Sequence, residues 1–234
     1  KALDAGIKVV AFDVDLGNPK IPQIEQSDAS MARLVLEQAI KDKGKGFTGG
    51  AVYVAGFAPL DRRYKIWKDF VGQYGLKEKA VWGVVNDTVP ASVADQTKAV
   101  LRANPDITVI FTPWDEFAKG VKLAIDELGL SEKVKIYGVD ISTADIQLMT
   151  EKNSAWVATA ATNAAVVGEV AVRAVSLAIA GQPPGHSVML QPTLITRDTL
   201  LKNNIKTMED LQRKFPAFLA SDAATAKWIP PVKR

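Results

Sequence analysis

Between Asp106 and Ser142 the chain reads DITVIFTPWDEFAKGVKLAIDELGLSEKVKIYGVDIS. This stretch restricts the possible folds more than any other. An apolar run, Ile107 to Phe111, has the length and composition of a buried strand, and Thr112-Pro113 breaks it. From Asp115 to Leu128, the residues Phe117, Val121, Leu123, Ala124 and Leu128 recur at helical spacing, and Gly129 stops the helix. Val134 to Val139 is a second strand-like run with Asp140 at its end. Strand, helix and strand with short loops make a parallel βαβ unit, whose crossover is right-handed. Ligands of open parallel sheets bind beyond the carboxyl ends of the strands, where Trp114, Asp115 and Asp140 fall.

The same alternation runs through the rest of the chain. Strands are expected at Ile7 to Phe12, Ala51 to Ala55, Ala80 to Val85, Ala155 to Ala160 and Ser187 to Leu190, with a short strand or hinge at Gln23 to Gln26. Helices are expected over Asp28 to Lys43, Arg62 to Tyr74, Ser92 to Ala103 and Ala144 to Thr150. Ser27 or Asp28 caps the first of these, and short helices follow Arg197. Alternating strands and helices make an α/β protein with parallel sheets. The loop GKGFTGG, Gly44 to Gly50, contains a formal G-x-G-x-x-G, but it follows a helix and precedes a strand, the reverse of a dinucleotide site.

The apolar tract Val157 to Ala180 is long enough to raise the question of a membrane span. Glu169 and Arg173 interrupt it at i, i+4, where they pair on a helix face, so it reads as a mostly buried helix of a protein with no membrane insertion. Thr162 or Asn163 caps that helix. The absence of cysteine removes thiol nucleophiles, disulfides and zinc-thiolate sites, and the single histidine, His186, removes any site that needs two. A net charge of +3 with dispersed Lys and Arg does not make a nucleic-acid face. No cofactor and no metal site is indicated, because the carboxylates lie on different strands without a short ligand loop.

Asp13, Arg62 or Arg63, Trp114 with Asp115, Asp140, and Asn163 all sit at strand ends or helix starts on the expected ligand edge. Carboxylates accept two hydroxyl hydrogen bonds, an arginine fork donates to neighbouring oxygens, and an indole covers the C–H face of a sugar. The set suits a polyhydroxylated ligand. Asp115 and Asn163 read equally well as helix caps, and Arg62 and Arg63 as solvated helix starts. Trp67, Trp82 and Trp156 read as core.

These residues, in this order, resemble the ribose/galactose-type periplasmic binding proteins of sugar ABC transporters. KALDAGIKVVAFDVD looks like that family's strand with its ligand aspartate, here Asp13. Arg62 and Arg63 through Phe70 resemble the arginine-bearing helix of its second lobe, FTPWDEFAKGVKLAIDELG its Asp-Glu-x-Ala-x-Gly helix, and KIYGVDIST its strand ending in Gly-x-Asp. Asn163 to Gly181 looks like its crossover helix.

The resemblance implies a type I periplasmic-binding-protein fold, with two doubly wound parallel-sheet lobes joined by a hinge. Residues 1–27 and 162–191 fall to lobe one, 28–161 to lobe two, and 192–234 to lobe two and a tail. Lobe one is incomplete in this sequence, short of its opening βα units of ~30 residues each. The implied function is binding of a monosaccharide or sugar alcohol in the interlobe cleft and delivery to an ABC transporter membrane permease, by an exported, periplasmic, non-enzymatic monomer. Two rivals share the residues: the effector core of a lactose-repressor-type regulator, and a glycosidase using Asp115 and Asp140.

Overall fold

A computed structural model of the chain describes residues 1–14, 16–218 and 220–229. The first elements are β1 (Ala11–Phe12), β2 (Gln23–Glu25) and α1 (Asp28–Lys43). An alternating series follows: β3 (Thr48–Val52), α2 (Ala58–Tyr74), β4 (Lys77–Trp82), α3 (Val89–Ala103), β5 (Val109–Thr112), α4 (Asp115–Glu127), β6 (Lys135–Val139), α5 (Thr143–Thr150) and β7 (Trp156–Ala161). Then come α6 (Ala164–Ile179), β8 (Ser187–Met189), β9 (Thr193–Thr196), α7 (Arg197–Lys202), α8 (Met208–Lys214) and a 3-10 turn, Pro216–Phe218.

These strands form two sheets. One is parallel, in the order β1-β2-β8. The other has six strands in the order β4-β3-β5-β6-β7-β9, parallel except for β9, which runs antiparallel to β7. The chain passes from one sheet to the other three times: between β2 and α1, between β7 and α6, and between β8 and β9.

Alternation along the strands sends side chains to the two faces of the larger sheet. Val109 and Phe111 of β5 pack with Met31 of α1 and Trp67 and Phe70 of α2. Ile110, between them, packs on the opposite side with Val93 of α3 and Phe117 and Val121 of α4. So α1 and α2 cover one face, and α3, α4 and α5 the other. The route from β3 to β4 runs one way along the sheet; the route from β4 to β5 runs back over β3 on the other face. The chain therefore reverses direction between β3 and β5, and the crevice at their carboxyl ends is where such a sheet holds a ligand. A smaller core, with Ile24, Val170, Ala174 and Val188, lies between α6 and the three-stranded sheet. The tail touches both: Phe218 joins the larger sheet's core, while Ala223 and Ala224 rest on the α6 side.

Several elements differ from the sequence expectation for identifiable reasons. Helices α2 and α3 start earlier than Arg62 and Ser92, because Pro59 and Pro90 sit in their first turns, where no backbone N–H is needed. Strand β3 takes in Gly49 and Gly50, which read as loop. A Cβ on Gly50 would stand 2.6 Å from Trp82 Cζ3 and 3.0 Å from the Ala80 carbonyl oxygen, so the strand needs glycine to accept that ring. Likewise a Cβ on Gly120 would lie 2.5 Å from the Pro90 carbonyl oxygen, and its absence lets α3 and α4 pack closely. The expected strand Ile7 to Phe12 shrinks to Ala11–Phe12, the two residues that pair with β2. Strand β9 was not anticipated. Helix α6 buries Val166, Val167, Val170, Ala174 and Leu177, but Val172 and Ile179 are each 68% exposed, since the helix covers the small sheet with one face only. Its Glu169–Arg173 ion pair forms as expected. Among the described residues, no helix is long and apolar enough to cross a membrane.

Candidate functional site

The carboxyl ends of strands from both sheets open on one cavity of about 350 Å³, within the ~300–1,000 Å³ range of small-molecule sites. Its polar lining is Asp13, Gln26, Arg63 and Asp140; its apolar lining is Phe57, Pro59, Leu60, Val85 and Trp114. Asp13 follows β1 in the small sheet, and Asp140 follows β6 in the large one. Both aspartates adopt left-handed backbone angles, φ +52° and +75°. Asn and Asp tolerate that region better than other residues with a Cβ.

A buried ion-pair network supports the cavity floor. Asp28, only 3% exposed, accepts from Arg63 Nε at 2.6 Å and from Arg62 Nε at 2.7 Å. Arg63, also 3% exposed, sends Nη1 to the Pro113 carbonyl oxygen at 2.7 Å and to Asp140 Oδ2 at 2.9 Å. One guanidinium thus joins α1, the β5–α4 loop and the end of β6. Burial works against its charge, but Asp140 and Asp28 outweigh that effect and raise its pKa further. The Asp140 carboxyl is pushed up to about 6, chiefly by burial, with Arg63 pulling the other way. Burial also raises Asp13, opposed by its hydrogen bond from Gln26.

On the other wall, Gln26 Nε2 donates to Asp13 Oδ2 at 2.6 Å, and Thr162 Oγ1 donates to Gln26 Oε1 at 2.5 Å. Gln26 lies in the β2–α1 connection and Thr162 in the β7–α6 connection. Two passages between the sheets are therefore hydrogen-bonded to each other and to a cavity carboxylate. Trp114, half-buried, meets Phe117 edge to face at 5.2 Å, which fixes the indole at the rim.

Of the residues singled out from sequence, Asp13, Arg63, Trp114 and Asp140 line the cavity. Arg62 does not; it pairs with Asp28 and reaches the Asp13 carbonyl oxygen at 3.5 Å. Asp115 turns to Lys119, at 3.4 Å, and to the Glu116 backbone N–H, beside the buried Asp145. Asn163 is a helix cap: its Oδ1 accepts from the Ala165 N–H at 2.9 Å and its Nδ2 donates to the Phe218 carbonyl oxygen. Sequence alone does not separate a strand-end cap from a strand-end ligand group, since both call for Asp or Asn at the same place. The lining residues missed from sequence are Gln26, Phe57, Pro59, Leu60 and Val85. Asp28, read as a possible cap, is instead the buried acceptor for both arginines. Among the described residues there is no group of three or more His, Asp or Glu able to hold a metal ion.

Comparison with known proteins gives the following. Residues 1–183 match a family described as "Periplasmic binding protein domain". Among curated proteins there is no significant match. A solved structure of the 5-methylthioribose transporter solute binding protein from Thermotoga lettingae, in complex with 5-methylthioribose, is 38% identical with a TM-score of 0.93, over 97% of this chain and 72% of that one. A sugar ABC transporter structure from Yersinia enterocolitica is 29% identical with a TM-score of 0.91, over 97% and 70%. An ABC transporter solute binding protein from Agrobacterium vitis with bound allitol, 24% identical over 92% and 72%, shares the fold with a TM-score of 0.76.

Proposed function

The chain belongs to the periplasmic binding protein family, and from that membership we propose that it holds a monosaccharide or sugar alcohol in the cavity between its two sheets and hands it to the membrane permease of an ABC importer. The observation that carries this reading is the convergence of Asp13 and Asp140, from strand ends of different sheets, on one cavity with Arg63 between its carboxylate partners. Two carboxylates and a guanidinium provide acceptors and donors for vicinal hydroxyls, and Trp114 offers a face for ring C–H groups. The relatives at 38% and 29% identity are named for a 5-methylthioribose transporter and a sugar ABC transporter, which supports a small sugar as cargo and binding rather than catalysis as the role.

In this reading residues 1–27 and 162–191 form one lobe, 28–161 the other, and 192–234 belong to that second lobe and a C-terminal tail. The crossovers are the hinge, and ligand stabilises the arrangement in which both lobes touch it. The protein works exported, in the periplasm, as a monomer that docks on its permease.

Calorimetry on Asp13→Asn and Asp140→Asn tests the assignment, since asparagine keeps the shape and tolerates the left-handed backbone. Each loses a hydrogen bond to a charged group, a loss of about 10–100-fold in affinity. Unchanged affinity in both variants refutes it.

A further inference from the structure

Polarity along the cavity is graded in the order of the strands. Asp140 closes β6, with Arg63 Nη1 2.9 Å from its Oδ2 and Asp13 in the same lining. Trp114 follows β5, Phe57, Pro59 and Leu60 follow β3, and Val85 follows β4. In the sheet these strands stand in the order β4-β3-β5-β6, so among the described lining residues one end of the cavity is charged and the other apolar. The apolar end is also uncovered: Phe57 is 45% exposed and Val85 37%, both within the wall of a cavity that already holds half-buried Trp114. Leu60 anchors this end in the core at 6% exposure. Among the described residues, no carboxylate, amide or hydroxyl side chain lines that half.

We propose that the ligand is a monosaccharide bearing an apolar substituent, alkyl or alkylthio, at the end opposite its hydroxyl cluster, with the substituent covering Phe57 and Val85. This rests on the sugar-binding reading and narrows it. A fully hydroxylated sugar of the same length would bury a hydroxyl against Phe57, Pro59 and Val85 with no partner, and an unpaired buried hydroxyl is disfavoured. An apolar substituent removes exposed hydrocarbon instead, and one methylene-sized group in such a pocket discriminates by about 10–200-fold.

The test compares D-ribose with 5-methylthio-D-ribose, which differ only at C5, by calorimetry on the protein expressed from its complete reading frame. The substituted sugar is expected to bind at least about tenfold more tightly. Phe57→Ser and Val85→Asn, both at exposed positions that do not hold the core, are expected to shrink that ratio, while Asp140→Asn weakens both sugars together. Ribose binding as tightly as, or more tightly than, its methylthio analogue, with Asp140→Asn still weakening it, overturns the apolar-substituent proposal and leaves the sugar site standing. A ratio that survives both wall substitutions overturns the proposal too. Failure of both sugars and of a wider panel of substituted and unsubstituted monosaccharides overturns the sugar-binding reading itself.

Discussion

Arg63 Nη1 lies 2.9 Å from Asp140 Oδ2, while its Nε lies 2.6 Å from Asp28 Oδ1. A single buried cation is thus held by one carboxylate that faces the cavity and one that does not. The cavity carboxylate is oriented from behind by that cation and lines the cavity.

Removing the cation should therefore cost stability as well as binding. Arg63→Met leaves Asp140 without its partner and Asp28 with Arg62 alone. Breaking a buried pair costs about 3–5 kcal/mol, and the retained Arg62 contact places the expected loss near about 3 kcal/mol. Urea unfolding followed by circular dichroism measures it. A loss under about 1 kcal/mol would mean that the network does not hold these elements together.

Ligand affinity should depend on pH through Asp140. Its carboxyl sits at about 6 in the free protein, and an ionised carboxylate is what accepts hydroxyls. Affinity is then flat above about pH 7 and falls below pH 6, approaching tenfold per pH unit until the bound form also protonates. Calorimetry across pH 5 to 8 reads this directly. Asp140→Asn should be weaker but flatter over the same window, and an equally steep profile in that variant would assign the titration elsewhere.

Asp115 offers a contrasting case. Burial and the neighbouring Asp145 raise its carboxyl to about 6, against the pull of Lys119. Among the described residues neither oxygen of the buried Asp145 has a hydrogen-bond partner, although Lys119 Nζ stands 3.4 Å from Oδ1. The folded pKa lies above the ordinary 3.8, so the contribution to stability is full below about pH 4 and is lost as pH rises through 6. Asp115→Asn should raise stability at pH 7.5 by on the order of 1–2 kcal/mol and flatten its pH dependence between 4 and 6. Thermal unfolding at several pH values checks this, and destabilisation at pH 7.5 would contradict the like-charge account.

Gly50→Ala tests the packing of β3. The added methyl meets the Trp82 ring and the Ala80 carbonyl, so overpacking should cost about 1–3 kcal/mol despite alanine's better backbone entropy. A neutral or stabilising result in chemical denaturation would show that the Trp82 ring moves aside freely.

The strand-end logic that made Asp13, Trp114 and Asp140 legible from sequence worked because parallel strands and their loops follow from hydrophobic runs and breaks. It reached Arg63 only as one of two neighbouring arginines, since which of them turns inward depends on the phase of α2 against Asp28. The same logic admitted Asp115 and Asn163, whose side chains serve their own helices. Phe57 escaped notice because an apolar residue in a loop reads as packing, and Val85 because it read as the end of a strand; the fold leaves them 45% and 37% exposed. Glycines disfavour strands, so Gly49 and Gly50 hid the start of β3 until the Trp67 and Trp82 rings explained them. Strand β9 has four residues and runs against the parallel pattern, which left it no periodic signature.

The positive φ angles of Asp13 and Asp140 also bear on how such a protein could change its cargo over time. At both positions a residue with a bulkier or branched side chain would strain the main chain, so drift is biased towards Asp, Asn and Gly. The hydroxyl-gripping end is therefore hard to retune by substitution, whereas Phe57 and Val85, in the loops after β3 and β4, carry no such restriction, although Gly56 and Gly83 in the same loops do. New specificities would arise at the tips of those loops, with the two aspartates inherited unchanged.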